Sequence, residues 1–452
     1  MKTVKINLAL LCLLCGTGTL FAQPRVKNNL VPFFRASLEG DTTAYLQSKP
    51  LKTKEIEAYR SLVWEAWKEA NAHFDEERLI PTDTLSPSAT GKWHLPANLE
   101  PDAVMPYYWG TKGTMATGDS VPMFLYLHGS GPKEQEWATG LYICRRFDDA
   151  PSLYFIPQIP NEGNYYRWWQ QSKQFAWERL LRQALLSGNV NPNRIYLFGI
   201  SEGGYGSQRL ASFYADYWAA AGPMAGGEPL KNAPAENCAD IGFSLRTGDK
   251  DTDFYRNTLT RYTQQAFDSL QNSHPTLYRH RIELIPDKGH AIDYTPTTPW
   301  LKQFTRNPYP TYVSWENFEM DGRYRKGFYN LAVRERSNID PHTRTYYEMN
   351  IDGNHIALRV DEVTYHTTEK DPKWGIEMKF ARTYTPAHRG KITVYLCSEL
   401  VNLDKPIVVT LNGKQVFAGK VKCNLINMVN SCALFYDPNR IYPAAVEIEM
   451  GR

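Results

Sequence analysis

Arg194-Ile195-Tyr196-Leu197-Phe198-Gly199-Ile200-Ser201-Glu202-Gly203-Gly204-Tyr205-Gly206 is the stretch that decides the fold. An apolar run ends at Gly199, a glycine-rich turn carries one serine, and a helix-like segment from Gln208 to Tyr214 follows. Strand, sharp turn and helix are the setting a G-x-S-x-G nucleophile elbow needs. The small residues two before and two after Ser201 let strand and helix approach closely while the serine takes strained backbone angles and projects its hydroxyl.

The strand ending at Gly199 implies a sheet, and the flanking sequence supplies one. Gly91–Leu95, Val104–Gly110, Val121–Leu127, Leu153–Ile156, Arg194–Ile200, Tyr217–Met224, Ile241–Arg246 and Arg279–Ile285 read as strands in series. Val121–Leu127 is nearly all apolar, as a strand buried on both faces must be. Helical segments such as Trp169–Leu186 lie between most later strands. This alternation predicts an α/β fold with a mostly parallel sheet flanked by helices.

A serine nucleophile needs a base, an orienting acid and an oxyanion hole. His128-Gly129-Ser130-Gly131 follows the third strand, so Gly129 and Ser130, with the Glu202 amide, are the expected oxyanion donors. Asp251 follows the seventh strand and is the expected acid, with Asp249 and Asp253 as rivals in the same turn. His290 follows a glycine turn after the eighth strand and is the expected base. The order Ser201, Asp251, His290 is the one an α/β-hydrolase requires. Taken singly, each segment reads as an ordinary polar loop.

At 452 residues the chain predicts more than one domain. Residues 1–22, with Lys2, Lys5 and the short apolar run Leu8–Leu14, read as a signal peptide cut after Ala22. Leu14 before Cys15 disfavours a lipid anchor, and no stretch is long enough for a membrane span. Residues 23–87 read as a helical segment packing on the catalytic domain, 88–306 as that domain, and 307–452 as a C-terminal β-sandwich domain. The tail carries turn signals at Asp321-Gly322, Asp352-Gly353 and Asn412-Gly413. The last sits inside the alternating run Pro406–Phe417 and predicts a two-residue hairpin.

The net charge of +3 falls to +1 without Lys2 and Lys5, since residues 1–22 hold no acid. That excludes the basic footprint of a nucleic-acid binder. No Cys/His spacing matches a metal site. Cys144, Cys238, Cys397, Cys423 and Cys432 follow the leader, and in an exported protein they could form one or two disulfides with one thiol left over.

With these residues in view, the chain resembles the α/β-hydrolase superfamily over about residues 88–305. More narrowly it is similar to exported two-domain carbohydrate esterases of gut Bacteroidetes, and to pectin methylesterases of this fold. Arg167-Trp168-Trp169, the Gly199–Gly206 elbow, Met224-Ala225-Gly226-Gly227 and the β-rich tail carry the likeness. It implies a periplasmic or cell-surface serine esterase acting on plant polysaccharide, with no cofactor and a methyl ester of pectin as substrate. Arg145, Arg146 and Arg167 are expected to meet uronate carboxylates, and Trp168 and Trp169 the sugar faces. The acyl group could instead be acetyl or feruloyl. Two further readings stay open: a serine peptidase of related fold, and an inactive glycan-binding protein. The oligomeric state is not legible.

Overall fold

The computed structural model describes residues 17–451 except 117 and 119, with side chains from Val26 onward. The expected leader lies outside the described residues up to residue 16, and Thr17–Ala22 fall in the first helix. The chain opens with helices α1 (Thr17–Leu38) and α2 (Ile56–Ala72). The elements β1 (Thr90–His94), β2 (Val104–Lys112), β3 (Val121–Leu127), α3 (Lys133–Cys144), β4 (Ser152–Pro157), α4 (Gln171–Leu186) and β5 (Val190–Ile200) follow. Next come α5 (Glu202–Phe213), β6 (Ala220–Met224), β7 (Gly242–Gly248), α6 (Arg256–Ser273), β8 (His280–Ile285) and α7 (Thr297–Leu301).

Strands β1–β8 form one sheet in the order β1-β2-β4-β3-β5-β6-β7-β8. Only the β1–β2 and β2–β4 pairs are antiparallel; every neighbour from β4 to β8 is parallel. Each residue of β3, β4, β6 and β7 is buried, because helices cover both faces. This is the α/β-hydrolase arrangement.

Beyond Asn307 the chain turns to β structure. It contributes β9 (Tyr312–Asn317), β10 (Gly327–Phe328), β11 (Leu331–Glu335), β12 (Arg344–Asp352), β13 (His355–Lys370), β14 (Glu377–Pro386), β15 (Lys391–Leu396), β16 (Ile407–Leu411), β17 (Lys414–Gly419) and β18 (Ala444–Glu449). One sheet runs β10-β11-β15-β18; the other runs β17-β16-β13-β12-β9, with β14 also on β13. The β16–β17 hairpin closes through Asn412 and Gly413, both at positive φ, as its Asn-Gly dipeptide predicts.

Three expectations need correction. The tail is not all β: helix α8 (Leu425–Phe435) interrupts it, capped by the Asn424 side chain accepting from the Ile426 amide at 3.1 Å. Its buried face, Leu425, Met428, Val429 and Cys432, meets Phe34, Tyr59, Val63 and Trp67 of α1 and α2. The N-terminal helices therefore pack on this C-terminal helix as well as on the α/β part, where Glu76 pairs with Arg182 of α4. Finally, the five described cysteines are all free thiols, four of them buried, so the expected disulfides are absent among the described residues.

The C-terminal sheets share one continuous core with the α/β sheet, in which Phe213 meets Phe318 at 5.5 Å between ring centroids. An ionic cluster, buried except for the edge of Arg325, spans the same boundary. Asp216, just past α5, accepts from Arg440 at 2.6 Å and from Arg325 at 3.0 Å, while Asp437 pairs with Arg306 at 2.7 Å.

Candidate active site

Strand register explains how residues distant in sequence meet. Leu127 of β3 pairs with Gly199 of β5, so the loop at His128-Gly129 and the turn at Ile200-Ser201 leave the sheet side by side. Gly248 of β7 pairs with Ile285 of β8, so the Asp251 and His290 loops also emerge as neighbours. The Lys250 amide donates to the Lys288 carbonyl at 2.9 Å, and a Cβ on Gly248 would fall 2.1 Å from the Gly289 carbonyl oxygen.

Ser201 sits at φ 57° and ψ −115°, a strained conformation for a serine. Its amide donates to the Met224 carbonyl at 3.0 Å. The flanking glycines are required for space. A Cβ on Gly199 would lie 2.3 Å from the Gly203 oxygen, and one on Gly203 would lie 1.9 Å from the Leu127 oxygen.

Ser201 Oγ is 2.9 Å from His290 Nε2, and His290 Nδ1 is 2.8 Å from Asp251 Oδ2. The serine hydroxyl and the carboxylate thus address opposite nitrogens of one half-exposed imidazole. Asp251 is the acid so placed; Asp253 is exposed, and the amide of Asp249 is tied to Ile285. Arg256 holds Asp251 from the other side, with Nε 2.9 Å from each carboxylate oxygen and Nη2 2.6 Å from Oδ1. Burial drives the Asp251 pKa upward, but the hydrogen bonds from His290 and Arg256 outweigh it and leave the group below the usual carboxylate range.

The second histidine nearby has another task. His128 is wholly buried; its Nδ1 donates to the Gly129 carbonyl at 2.7 Å and its Nε2 accepts from the Ile159 amide at 3.0 Å. Burial, opposed by the bond to Gly129, pushes its pKa down to about 4, so it stays neutral and braces the loop. The Tyr166 hydroxyl also donates to the Gly129 carbonyl, at 2.7 Å. Gly129 itself lies against Ser201: a Cβ there would be 3.3 Å from Ser201 Cβ. Ser130 lines the cavity beside Ser201, and Glu202 begins α5, whose N-terminal amides suit an oxyanion.

Ser201 opens onto a cavity of about 710 Å³. Arg167, Trp169, Tyr205, Arg209 and Phe254 contribute to its walls. Three of the expected substrate residues lie elsewhere. Trp168 is wholly buried, its indole donating to the His128 carbonyl at 3.0 Å and its ring wedged against Gly206. Arg145 and Arg146 follow a helix of 12 residues, which carries them about 18 Å from the oxyanion loop; Arg146 lies over the Tyr142 ring. Arg167 and Trp169 do reach the cavity, with the Arg209 guanidinium 3.8 Å from the Trp169 ring centroid.

Glu202 is the unusual charge. One carboxylate oxygen lies 3.5 Å from Arg167; the other is buried without a hydrogen-bond partner. Burial, reinforced by Glu228 and opposed by Arg167 and Arg209, pushes its pKa up to about 7. Sequence reasoning did not reach this side chain, Tyr166 or Arg256. The only sequence signal for Arg256 was its place five residues beyond the acid.

No protein-family model matches the chain. Feruloyl esterase B of Thermothelomyces thermophilus is 23% identical over 243 residues, 48% of this chain and 80% of that protein. Among solved structures, a ferulic acid esterase aligns with a TM-score of 0.36 at 14% identity, covering 47% of this chain and 97% of its own. A thermostable esterase aligns with a TM-score of 0.36 at 19% identity, covering 48% of this chain and 64% of its own, so slightly under two thirds of that enzyme is spanned.

Proposed function

We propose that the chain is a serine carboxylic-ester hydrolase acting on esters carried by plant cell-wall polysaccharide, with the methyl ester of an acidic, pectin-like polymer as its leading substrate. The observation that carries this reading is the unbroken hydrogen-bonded chain from Ser201 through His290 to Asp251 beside an open cavity. In this reading Ser201 Oγ attacks the ester carbonyl while His290 Nε2 takes its proton. Asp251, itself held by Arg256, fixes the Nδ1–H tautomer and steadies the imidazolium. The amides of Gly129 or Ser130 and of Glu202 receive the tetrahedral oxyanion. His290 then protonates the departing alcohol, and water activated by the same imidazole releases the acid.

Methanol is too small a leaving group to supply much binding energy, so discrimination rests on the acid side. Arg167 and Trp169 on the cavity wall suit a uronate and its sugar face. The expected leader supports export to where such polymers occur. We read residues 88–306 as the catalytic unit and 307–452 as its β-rich companion.

A second reading, a feruloyl esterase, is favoured by the aromatic side chains Tyr166, Trp169, Tyr205 and Phe254 around the cavity and by the curated relative's name. Methanol, acetate and ferulate measured separately from pectin, acetylated xylan and feruloylated arabinoxylan decide between them. Methanol from pectin, lost in Ser201→Ala, is the expected result. Ferulate as the main product selects the second reading, and no ester product from any polymer overturns both.

A further inference from the structure

The β13–β14 hairpin belongs to a C-terminal sheet, yet its tip reaches the catalytic cavity. Lys370, Gly375, Ile376 and Glu377 line that cavity together with Ser201. Three contacts seat the tip against the α/β part. The Tyr255 hydroxyl donates to Asp371 Oδ1 at 2.7 Å, and Lys231 Nζ is 2.7 Å from Glu377 Oε2. Trp374 lies on Phe254, with ring centroids 4.4 Å apart and planes tilted by 42°. Phe254 and Tyr255 both have left-handed φ, 52° and 58°, a conformation that bulky residues keep where their surroundings impose it. The next residue is Arg256, the partner of Asp251.

Part of this tip is left over by the packing. Phe254 is 40% exposed and Trp374 46% exposed, so the aromatic surface at the cavity wall continues onto the hairpin. The other cavity cations have partners: Arg209 pairs with Glu228, Arg256 with Asp251, and Arg167 approaches Glu202. Lys370 is exposed; its charge acts on Glu377, but that carboxylate is held by Lys231 at 2.7 Å, and Lys370 makes no ion pair within 4 Å among the described residues. Lys373 adds a second ammonium 4.6 Å from the Trp374 ring centroid.

Exposed aromatic faces stack on sugar rings, and unpaired ammonium groups take carboxylates. We propose that the β13–β14 tip is a subsite for an anionic glycan chain, with Trp374 and Phe254 stacking on a sugar ring and Lys370 pairing with a carboxylate on the chain that bears the reacting ester. The choice of substrate rests on the ester-hydrolase reading above, but binding at this subsite is measurable without turnover. Specificity would then be shared between the catalytic sheet and the C-terminal sheet.

The test uses the full chain with polygalacturonate as anionic probe and dextran as neutral control. Trp374→Ala and Lys370→Ala should each raise the Kd for polygalacturonate about tenfold at low salt, with dextran unbound and Trp374→Phe restoring most of the loss. The ratio of kcat/KM on polymer to kcat/KM on p-nitrophenyl acetate should fall by a similar factor. Unchanged polygalacturonate affinity in both alanine variants overturns the subsite. So does an equal fall on polymer and small ester, which marks a structural role. If the wild-type chain cleaves no ester but binds polygalacturonate through Trp374 and Lys370, the subsite stands and the hydrolase reading falls.

Discussion

Glu202 stands at the residue scale as a carboxylate beside Ser201 whose state changes near neutral pH. Its folded pKa is pushed up from 4.5 to about 7, chiefly by burial. The folded protein therefore holds a proton that the unfolded chain has already released, and stability falls as pH rises through the window from about 4.5 to 7. Above it the buried charge costs up to about 3 kcal/mol. Glu202→Gln should have little effect on Tm at pH 4 and raise it at pH 8; an equal shift at both values would contradict the assigned burial. The same titration bears on substrate. Below pH 7 a neutral Glu202 leaves Arg167 uncompensated, so affinity for polygalacturonate should weaken from pH 6 to pH 8 and lose that dependence in Glu202→Gln.

At the scale of elements, the elbow depends on the close approach of β3, β5 and α5. Gly203→Ala would set a Cβ 1.9 Å from the Leu127 backbone oxygen, which the fully buried β3 cannot yield. Overpacking of this kind costs about 1–3 kcal/mol or more, with activity lost as Ser201 shifts. Gly289→Ala is the control: nothing lies within 4 Å of its added Cβ, and a stability change within about 0.5 kcal/mol is expected. Comparable losses in chemical denaturation would refute the argument from close approach. The eight strands of the α/β sheet were legible because burial on both faces writes apolar runs into the sequence, and the meeting of Ser201, Asp251 and His290 because each follows one of those strands. Other features were hidden. Trp168 and Trp169 are adjacent in an irregular segment, and only tertiary packing turns the first inward. Helix α8 was masked by the turn-rich β pattern around it, although Asn424 before an apolar run was a readable cap. Tyr166 and the β13–β14 tip join the site through long-range contacts, which local periodicity does not encode.

For the whole molecule, the C-terminal region is bound into the α/β part by a shared core and by buried charge. Asp216 neutralises Arg440 where both are excluded from water, and pairs with the largely covered Arg325 beside them. Removing one member of a buried ionic cluster leaves uncompensated charge and costs about 3–5 kcal/mol. Asp216→Asn should lower stability by that order in urea unfolding, and both parts should unfold together. A loss under about 1 kcal/mol, or two separate transitions, would show that the boundary bears little of the stability. The same coupling gives the hairpin tip a fixed seat at the cavity.

The central claim is that Ser201 is a nucleophile activated by His290 and oriented through Asp251. Covalent labelling by a fluorophosphonate, read by mass spectrometry of the digested protein, tests it most directly. The account predicts one adduct on the peptide bearing Ser201, absent in Ser201→Ala and formed far more slowly in His290→Ala. No adduct on the folded wild-type chain, or an adduct that persists in Ser201→Ala, would contradict it.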